Sequence, residues 1–228
     1  MTIKCRECPF LSTCFPAPLT RGELDAFERS IEQSTLRAGK ALTVPGERFR
    51  AYYVIRSGAL KIAAHNGDDR ERILRFHFPG EISGFAEAAH GAWLGAMVGL
   101  SDVDFCRIPQ AAVRSPVLLQ RLATLAGERL LHNYEFALAI KNRSRAKRLA
   151  AFLIQLRTRL SPGGEPCREL RLPMTQVDIA NYLGLTKESI SRAFAELKQR
   201  GYVEQHGRHV RILNADSPAL EQFVEEGE

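Results

Sequence analysis

The spacing of hydrophobic and polar positions changes twice along the chain. From 37 to 107, short apolar or alternating runs are punctuated by glycines, most of them about ten residues apart. Such runs predict short strands joined by turns, and Asn66 followed by Gly67 fits a tight hairpin because both residues accept positive φ angles. The pattern predicts an all-β barrel or sandwich. The clearest runs are 52–55, 60–63 and 73–78.

Leucines at helical spacing replace this pattern after Ser115, and glycine and proline almost disappear up to about position 160. The first predicted helix, about 116–141, is apolar on two faces. A helix of this kind usually has two partners, so we expect one face to pack on the barrel and the other to contact a second subunit. Burial within one chain is the alternative. The barrel set is Leu119, Ala126, Leu130, Ala137 and Ile140, and the subunit set includes Leu118, Leu122, Leu125 and Phe136.

The last third of the chain has the pattern of two short helices followed by a hairpin. A loop is predicted at 161–166, whose sequence is SPGGEP. Thr175 with Asp178 predicts a helix start, and Gly184 permits a sharp turn before a second helix. The residues after Gly201 alternate as in a hairpin. Together these elements predict a winged helix-turn-helix.

Three polar residues near the start of the second helix fall on the face opposite its apolar one: Glu188, Ser191 and Arg192. A recognition helix presents such a face to base edges in a major groove. Arg192 suits guanine, Glu188 suits a cytosine amino group, and Ser191 suits a base or a thymine methyl group. The alternative is an ordinary ion pair between Glu188 and Arg192.

The charge is concentrated in this C-terminal part. The whole chain has a net charge of +6, whereas 141–211 holds 15 Lys and Arg against 6 Asp and Glu, a net charge of +9. This asymmetry indicates a polyanionic partner, with solvated helix faces as the alternative. No apolar stretch is long enough to span a membrane, and no secretory signal is recognisable. We therefore expect a cytoplasmic protein with no membrane partner.

Three of the five cysteines, Cys5, Cys8 and Cys14, lie in the first fourteen residues. A reducing compartment disfavours a structural disulfide and leaves metal binding or redox sensing as their use. A Cys-x-x-Cys redox pair normally accompanies a βαβ pattern, which this chain lacks. A redox or electron-transfer protein would also leave the helix-turn-helix without a purpose.

The order of barrel, long helix and winged helix-turn-helix resembles the CRP/FNR family of dimeric bacterial transcription regulators, and most of all its FNR type. The resemblance rests on "YYVIRSGALKI", "RILRFHFPGEISGF", "RAKRLAAFLIQLRTRL" and "MTQVDIANYLGLTKESISRAF". It implies that Glu188, Ser191 and Arg192 read a TTGAT-like half-site, and that a homodimer covers an inverted repeat in double-stranded DNA. It also implies contact with RNA polymerase, for which 67–70 is a candidate segment.

The same resemblance implies a fourth ligand, Cys106, and an oxygen-labile 4Fe-4S cluster held with Cys5, Cys8 and Cys14. Four thiolates suit an iron-sulfur cluster or zinc, so the chemistry of the ligands leaves zinc open as the alternative. A regulator of the same fold without a cluster is also open. Cys167 matches no ligand position.

Many members of the superfamily that this chain resembles bind a cyclic nucleotide in the barrel. Gly80 and Glu81 resemble part of its phosphate site, but no arginine occurs from 82 to 100. A phosphate would meet no guanidinium, so we predict no cyclic nucleotide.

Alignment with the family places Arg129 and His132 on the inter-subunit stripe, where FNR-type proteins have an aliphatic residue and an acid. Two copies of Arg129 would repel each other in a dimer. The alternative is that Arg129 reaches solvent and is inert.

These inferences combine into an α+β chain with no catalytic activity, because no nucleophile triad, phosphate loop or carboxylate pair stands out. The expected parts are a cysteine-rich arm (1–20), a β-barrel or jelly-roll sensor domain (21–114), a dimerisation helix (115–142) and a winged helix-turn-helix domain (143–228).

Overall fold

The computed structural model describes residues 3–65, 70–141, 143–161, 166–213 and 219–225. The chain divides into two compact units, Met1–Arg129 and Leu130–Glu228. The expected hairpin turn at Asn66 and Gly67, and the centre of the loop expected at 161–166, lie outside the described residues.

The first unit is built on two antiparallel sheets. One has the strand order β1-β7-β2-β5 and the other β4-β3-β6. This arrangement confirms the predicted antiparallel β domain. The strands are β1 (Glu32–Leu36), β2 (Ala51–Ser57), β3 (Leu60–His65), β4 (Glu71–His77), β5 (Ile82–Ser83), β6 (Ala96–Gly99) and β7 (Val103–Pro109).

Two short helices complete this unit, α1 (Arg21–Glu28) and α2 (Phe85–His90). The core between the sheets is rich in aromatic rings, with Phe49 and Tyr52 in edge contact at 5.0 Å. Gly84, at φ 118°, starts α2 where a Cβ would lie 2.9 Å from the Phe49 ring. Both the positive φ and the tight packing require glycine there.

The long helix α3 (Pro116–Ile140) confirms the predicted helix. The face that packs on the barrel differs from the predicted one. Leu118 is 4% exposed and lies in the core of the first unit, and Leu122 and Leu125 pack against that core. Leu119 and Leu130, which were expected to face the barrel, are about half exposed. The prediction that Leu118 faces a second subunit is therefore wrong, because its side chain is buried by its own chain.

The second unit is a winged helix-turn-helix, as predicted. Its described residues form a three-stranded sheet of order β8-β10-β9 and, after α3, four helices. The apolar faces of α4, α5 and α6 are buried, and Leu149, Phe152 and Ile190 are fully buried. The elements are α4 (Arg145–Arg159), β8 (Glu169–Arg171), α5 (Gln176–Leu183), α6 (Lys187–Gln199), β9 (Val203–His206), β10 (His209–Ile212) and α7 (Ala219–Glu225).

None of the helices in the described ranges is long and apolar enough to cross a membrane.

Candidate functional site

Four cysteines of the first unit line one small cavity of about 30 Å³. Cys5, Cys8 and Cys14 come from residues 3–20, which we call the cysteine arm, and Cys106 comes from β7. The structure thus brings together the four residues that the sequence named as ligands. We call this space the cysteine cavity.

Two tight turns shape the arm around the cavity. The amide of Cys8 donates to the carbonyl of Cys5 at 3.1 Å, and the amide of Cys14 donates to that of Leu11 at 3.2 Å. The arm is tied to β1 because Ile3 and Gln33 exchange two hydrogen bonds, of 3.0 and 2.7 Å.

Cys106 reaches the cavity because of the alternation of β7. Val103 and Phe105 of this strand are buried, so Cys106 points to the opposite side of the sheet, where the arm lies. In register, Cys106 pairs with Gln33 of β1 and Val54 of β2, and all three line the cavity.

Burial raises the pKa of Cys5, Cys14 and Cys106. It raises the pKa of Cys5 to about 12, with Glu28 adding to the rise. It also raises the pKa of Cys14, and it raises that of Cys106 to about 11 although Arg56 opposes the change. Because a cysteine binds a metal as its thiolate, a metal held here would supply the positive charge that offsets this penalty.

The donor set of the cavity fits a sulfur-ligated centre. Among the residues that the structure describes, its lining contains four thiols and no carboxylate or imidazole, and the remaining wall is mostly apolar, with Phe10, Leu11 and Ile108 among its residues. Soft thiolate ligands suit iron-sulfur clusters and zinc. In the part of the chain that the structure describes, however, no three His, Cys, Asp or Glu side chains are grouped closely enough to hold a single metal ion.

The fifth cysteine lies elsewhere. Cys167 belongs to the second unit, where its thiol donates to the carbonyl of Arg157 at 3.1 Å. Cys167 is not among the residues that line the cysteine cavity.

The two helices of the helix-turn-helix begin and end as the sequence predicts. Thr175 and Asp178 form a reciprocal capping box, with bonds of 2.9 and 3.1 Å. Gly184, at φ 65°, ends α5, and the hydroxyl of Thr186 accepts from the Ser189 amide at 3.1 Å to start α6. These caps satisfy amides that a helix start leaves without an intrahelical partner.

The three predicted base-reading side chains, Glu188, Ser191 and Arg192, are all exposed on α6. The opposite face is buried and contributes Ile190, Ala193, Phe194 and Leu197 to the core. Hydrogen bonding lowers the pKa of Glu188, first through the backbone and then through Thr186, and Lys187 and Arg192 lower it further. Glu188 is therefore a carboxylate acceptor at neutral pH.

The wing follows α6 as the hairpin of β9 and β10. Gly207, at φ 60°, lies in its turn, where Arg208 is exposed. Arg211 at the base of the hairpin pairs with Glu169 at 2.8 Å and with Glu204 at 3.6 Å. Arg208, the residue after Gly207, donates to the carbonyl of Pro173 at 3.3 Å.

Two further residues of the predicted subunit interface are engaged within their own chain. Arg129 lies 3.7 Å from the carboxylate of Glu81 in the first unit, with its side chain 20% exposed. In the second unit, Phe136 stacks on Tyr182 with ring centroids 5.5 Å apart. His132 is exposed.

A different set of α3 residues is exposed at alternating spacings of three and four, which is the spacing of a coiled-coil seam. We call it the α3 stripe. The spacing of the leucines alone does not reveal this stripe, because Gln120, Thr124 and Gly127 interrupt its apolar positions. The stripe consists of Val117, Gln120, Thr124, Gly127, Leu131, Tyr134 and Leu138.

Comparison with known proteins identifies both units. Residues 33–117 match the cyclic nucleotide-binding domain, and residues 147–223 match the Crp-like helix-turn-helix domain. The solved structure of FixK2 from Bradyrhizobium japonicum has the same fold, with a TM-score of 0.74 at 23% identity over 84% of this chain and 96% of that one. The fold is thus a barrel domain of the cyclic nucleotide-binding type followed by a Crp-like helix-turn-helix domain.

Two curated relatives are similar over most of their length. The fumarate and nitrate reduction regulatory protein of Vibrio cholerae serotype O1 is 33% identical over 218 residues, covering 93% of this chain and 87% of the relative. The transcriptional activator protein FnrA of Stutzerimonas stutzeri is 30% identical over 217 residues, covering 92% and 89%. The chain therefore belongs to the CRP/FNR family of transcription regulators and is of the FNR type. Its relatives are regulators, which confirms the prediction that it is not an enzyme.

Proposed function

We propose that this protein is a cytoplasmic, homodimeric transcription regulator whose DNA binding responds to oxygen through a 4Fe-4S cluster held by Cys5, Cys8, Cys14 and Cys106. The observation that carries the proposal is the cysteine cavity, in which three thiols of the arm and one of β7 face a common space. When bound, such a cluster supplies an oxygen-labile centre that balances the charge of four thiolates.

The chain's own residues would bind the cluster at one end and DNA at the other. The arm supplies three ligands and β7 one, so occupancy of the site ties the arm to the barrel. In the DNA-binding domain, Arg192 is suited to a bidentate contact with guanine, and Glu188 and Ser191 complete the reading of a TTGAT-like half-site. The four segments expected from the sequence, 1–20, 21–114, 115–142 and 143–228, remain the division that we propose.

The α3 stripe is the dimer seam that we propose in place of the predicted one. Its exposed apolar members, among them Leu131, Tyr134 and Leu138, are 57%, 61% and 70% exposed. A two-fold protein matches the two-fold symmetry of an inverted repeat. We also infer contact with RNA polymerase, although the candidate segment 67–70 lies mostly outside the described residues.

A cyclic nucleotide is not part of the proposal. Glu81 faces Arg129 and His77 of its own chain, at 3.7 and 3.6 Å, and no arginine from 82 to 100 is available for a phosphate.

The test is anaerobic purification followed by analysis of iron, acid-labile sulfide, zinc and the absorption spectrum. A duplex with an inverted repeat of TTGAT-like half-sites is then titrated before and after exposure to air. We expect the wild type and the control variant Cys167→Ala to be brown, to contain iron and sulfide, and to lose affinity for the duplex in air. Cys106→Ala should lack the cluster and bind weakly under both conditions.

Two results would contradict the proposal. A colourless wild-type protein with stoichiometric zinc would replace the cluster by a zinc site. Equal affinity of the wild type for the duplex before and after air exposure would remove the sensing role while leaving DNA binding intact.

A further inference from the structure

Arg121 of α3 contacts the cysteine arm directly. Its Nη2 donates to the carbonyl oxygen of Ser12 at 3.2 Å, and its Nε donates to that of Cys14 at 3.4 Å. Both acceptors lie in the short segment that ends in the ligand Cys14. The long helix therefore binds the backbone of the arm at Cys14, one of the four proposed ligands.

A guanidinium is well suited to this contact. Its donors are fixed in one plane, so two donors that bind two carbonyls fix the positions of those carbonyls relative to each other and to the helix. The acceptors are neutral backbone oxygens, so the contact depends on where the arm runs and not on the charge of its side chains.

The segment is held from a second direction by the core. Phe15, the residue after Cys14, is fully buried and belongs to the same hydrophobic core as Leu118 of α3. Its ring lies 5.1 Å from that of Tyr52. Cys14 is thus held on one side by the hydrogen bonds of Arg121 and on the other by the buried side chain of Phe15. A movement of Cys14 would therefore have to break these hydrogen bonds or displace Phe15 from the core.

The α3 stripe starts next to Arg121. Gln120 and Thr124 of the stripe are exposed, whereas Arg121 is partly buried and faces the arm. One side of the first turns of α3 therefore binds the arm, and the neighbouring side carries the start of the proposed dimer seam.

We propose that Arg121 is a positioning residue that couples the Cys14 segment of the arm to α3, so that occupancy of the cysteine cavity is transmitted to the dimer seam through this guanidinium. This inference rests on the proposed function, and it adds the residue through which the cysteine site acts. Removal of the guanidinium should leave the four thiols in place and weaken the link between the site and DNA binding.

The first measurement uses cluster-free protein, so that it does not depend on the cofactor. Hydrogen exchange at the amides of 11–15 is compared in the wild type, in Arg121→Gln, in Arg121→Lys and in the matched control Arg114→Gln, which removes an exposed arginine ahead of α3. We expect at least fivefold faster exchange in Arg121→Gln, an intermediate rate in Arg121→Lys, and the wild-type rate in Arg114→Gln. Wild-type exchange in both Arg121 variants would overturn the proposal.

The second measurement is the ratio of duplex affinity between cluster-loaded and cluster-free protein, with cluster content and melting temperature measured in parallel. A coupling between two sites typically changes affinity 5- to 150-fold. We expect Arg121→Gln to reduce the wild-type ratio at least fivefold, and Arg114→Gln to preserve it, at equal melting temperatures. A wild-type ratio in Arg121→Gln overturns the proposal. A wild type whose ratio is itself one contradicts the proposed function instead, and the exchange measurement then decides the role of Arg121 alone.

Discussion

At the scale of single residues, Glu81 connects a barrel turn to the long helix. Its carboxylate lies 3.6 Å from the His77 ring and 3.7 Å from the Arg129 guanidinium, and its side chain is 12% exposed. A largely buried carboxylate needs such cationic or polar neighbours. The preceding Gly80 is so close to Phe10 of the arm that a Cβ there would lie 2.8 Å from the ring. The arm, this turn and α3 are therefore in continuous contact.

The substitution Arg129→Leu distinguishes two roles of Arg129. One is the ion pair with Glu81 of its own chain, and the other is repulsion between two copies of Arg129 in a dimer. Because Arg129 pairs with Glu81 of its own chain, we expect the substitution to lower the free energy of unfolding of the cluster-free protein by about 1 kcal/mol. The monomer fraction should not change. Urea unfolding and sedimentation measure the two quantities, with the exposed Arg114→Leu as the control. A larger dimer fraction in Arg129→Leu would instead support repulsion between two copies of Arg129.

At the scale of elements, α6 has one buried face and one exposed face. Ile190, Phe194 and Leu197 are buried, while Glu188, Ser191 and Arg192 are exposed near the N-terminal end. The described ion pairs of this helix use Glu196, which pairs with Arg145 at 3.8 Å and Arg200 at 3.3 Å.

Arg192→Ala tests the proposed recognition face. A bidentate arginine contact with guanine contributes about 1–3 kcal/mol of discrimination, so affinity for the matching duplex should fall about 5- to 150-fold. Affinity for unrelated DNA should change much less, because phosphate contacts supply that binding. The control Lys198→Ala removes an exposed cation at the other end of α6. Fluorescence anisotropy at constant salt measures both affinities, and an equal loss on both duplexes would exclude base reading by Arg192.

At the scale of the whole molecule, the α3 stripe is the surface through which we propose that two chains meet. The helix is a single element from Pro116 to Ile140, and its exposed apolar side chains recur with the spacing of a two-stranded seam. Three leucines that the periodicity predicts at the subunit contact pack instead against the core of the first unit. They are Leu118, Leu122 and Leu125.

Leu131→Glu tests this seam against the predicted one. A carboxylate buried in an apolar contact without a partner is unfavourable, and a two-fold seam contains it twice, so we expect at least a tenfold weaker dimer. His132→Glu is the matched comparison, because it places the same charge at a residue of the subunit interface predicted from the sequence that is not part of the α3 stripe. Sedimentation of both variants measures the dissociation constants. A dimer weakened by His132→Glu and unaffected by Leu131→Glu would contradict the α3 stripe and support the subunit interface predicted from the sequence.

Several features of the fold could be predicted because a few neighbouring residues determine them. The capping box of Thr175 and Asp178 and the αL turn at Gly184 are local, and both occur where the sequence places them. The helical period of α6 likewise separates its buried side from its exposed side. Such features need no knowledge of distant contacts, because the amides to be capped and the φ angle to be adopted lie within one turn.

The face of α3 that meets the barrel could not be predicted in this way. The helix has apolar residues around most of its circumference, so its period alone does not select between Leu118 and Leu119. That choice depends on which face fits the barrel core, and the core is assembled from strands up to about a hundred residues away.

By itself, the sequence determined the order of the elements, the clustering of three cysteines near the N-terminus and the exposed face of α6, because periodicity, caps and turns are short-range properties. Only the tertiary structure decided that Cys106 faces the arm, that Arg129 pairs with Glu81 and that Arg121 holds the carbonyls of Ser12 and Cys14. Each of these contacts joins residues about fifty or more positions apart. Their formation depends on how whole surfaces pack, which no local pattern encodes.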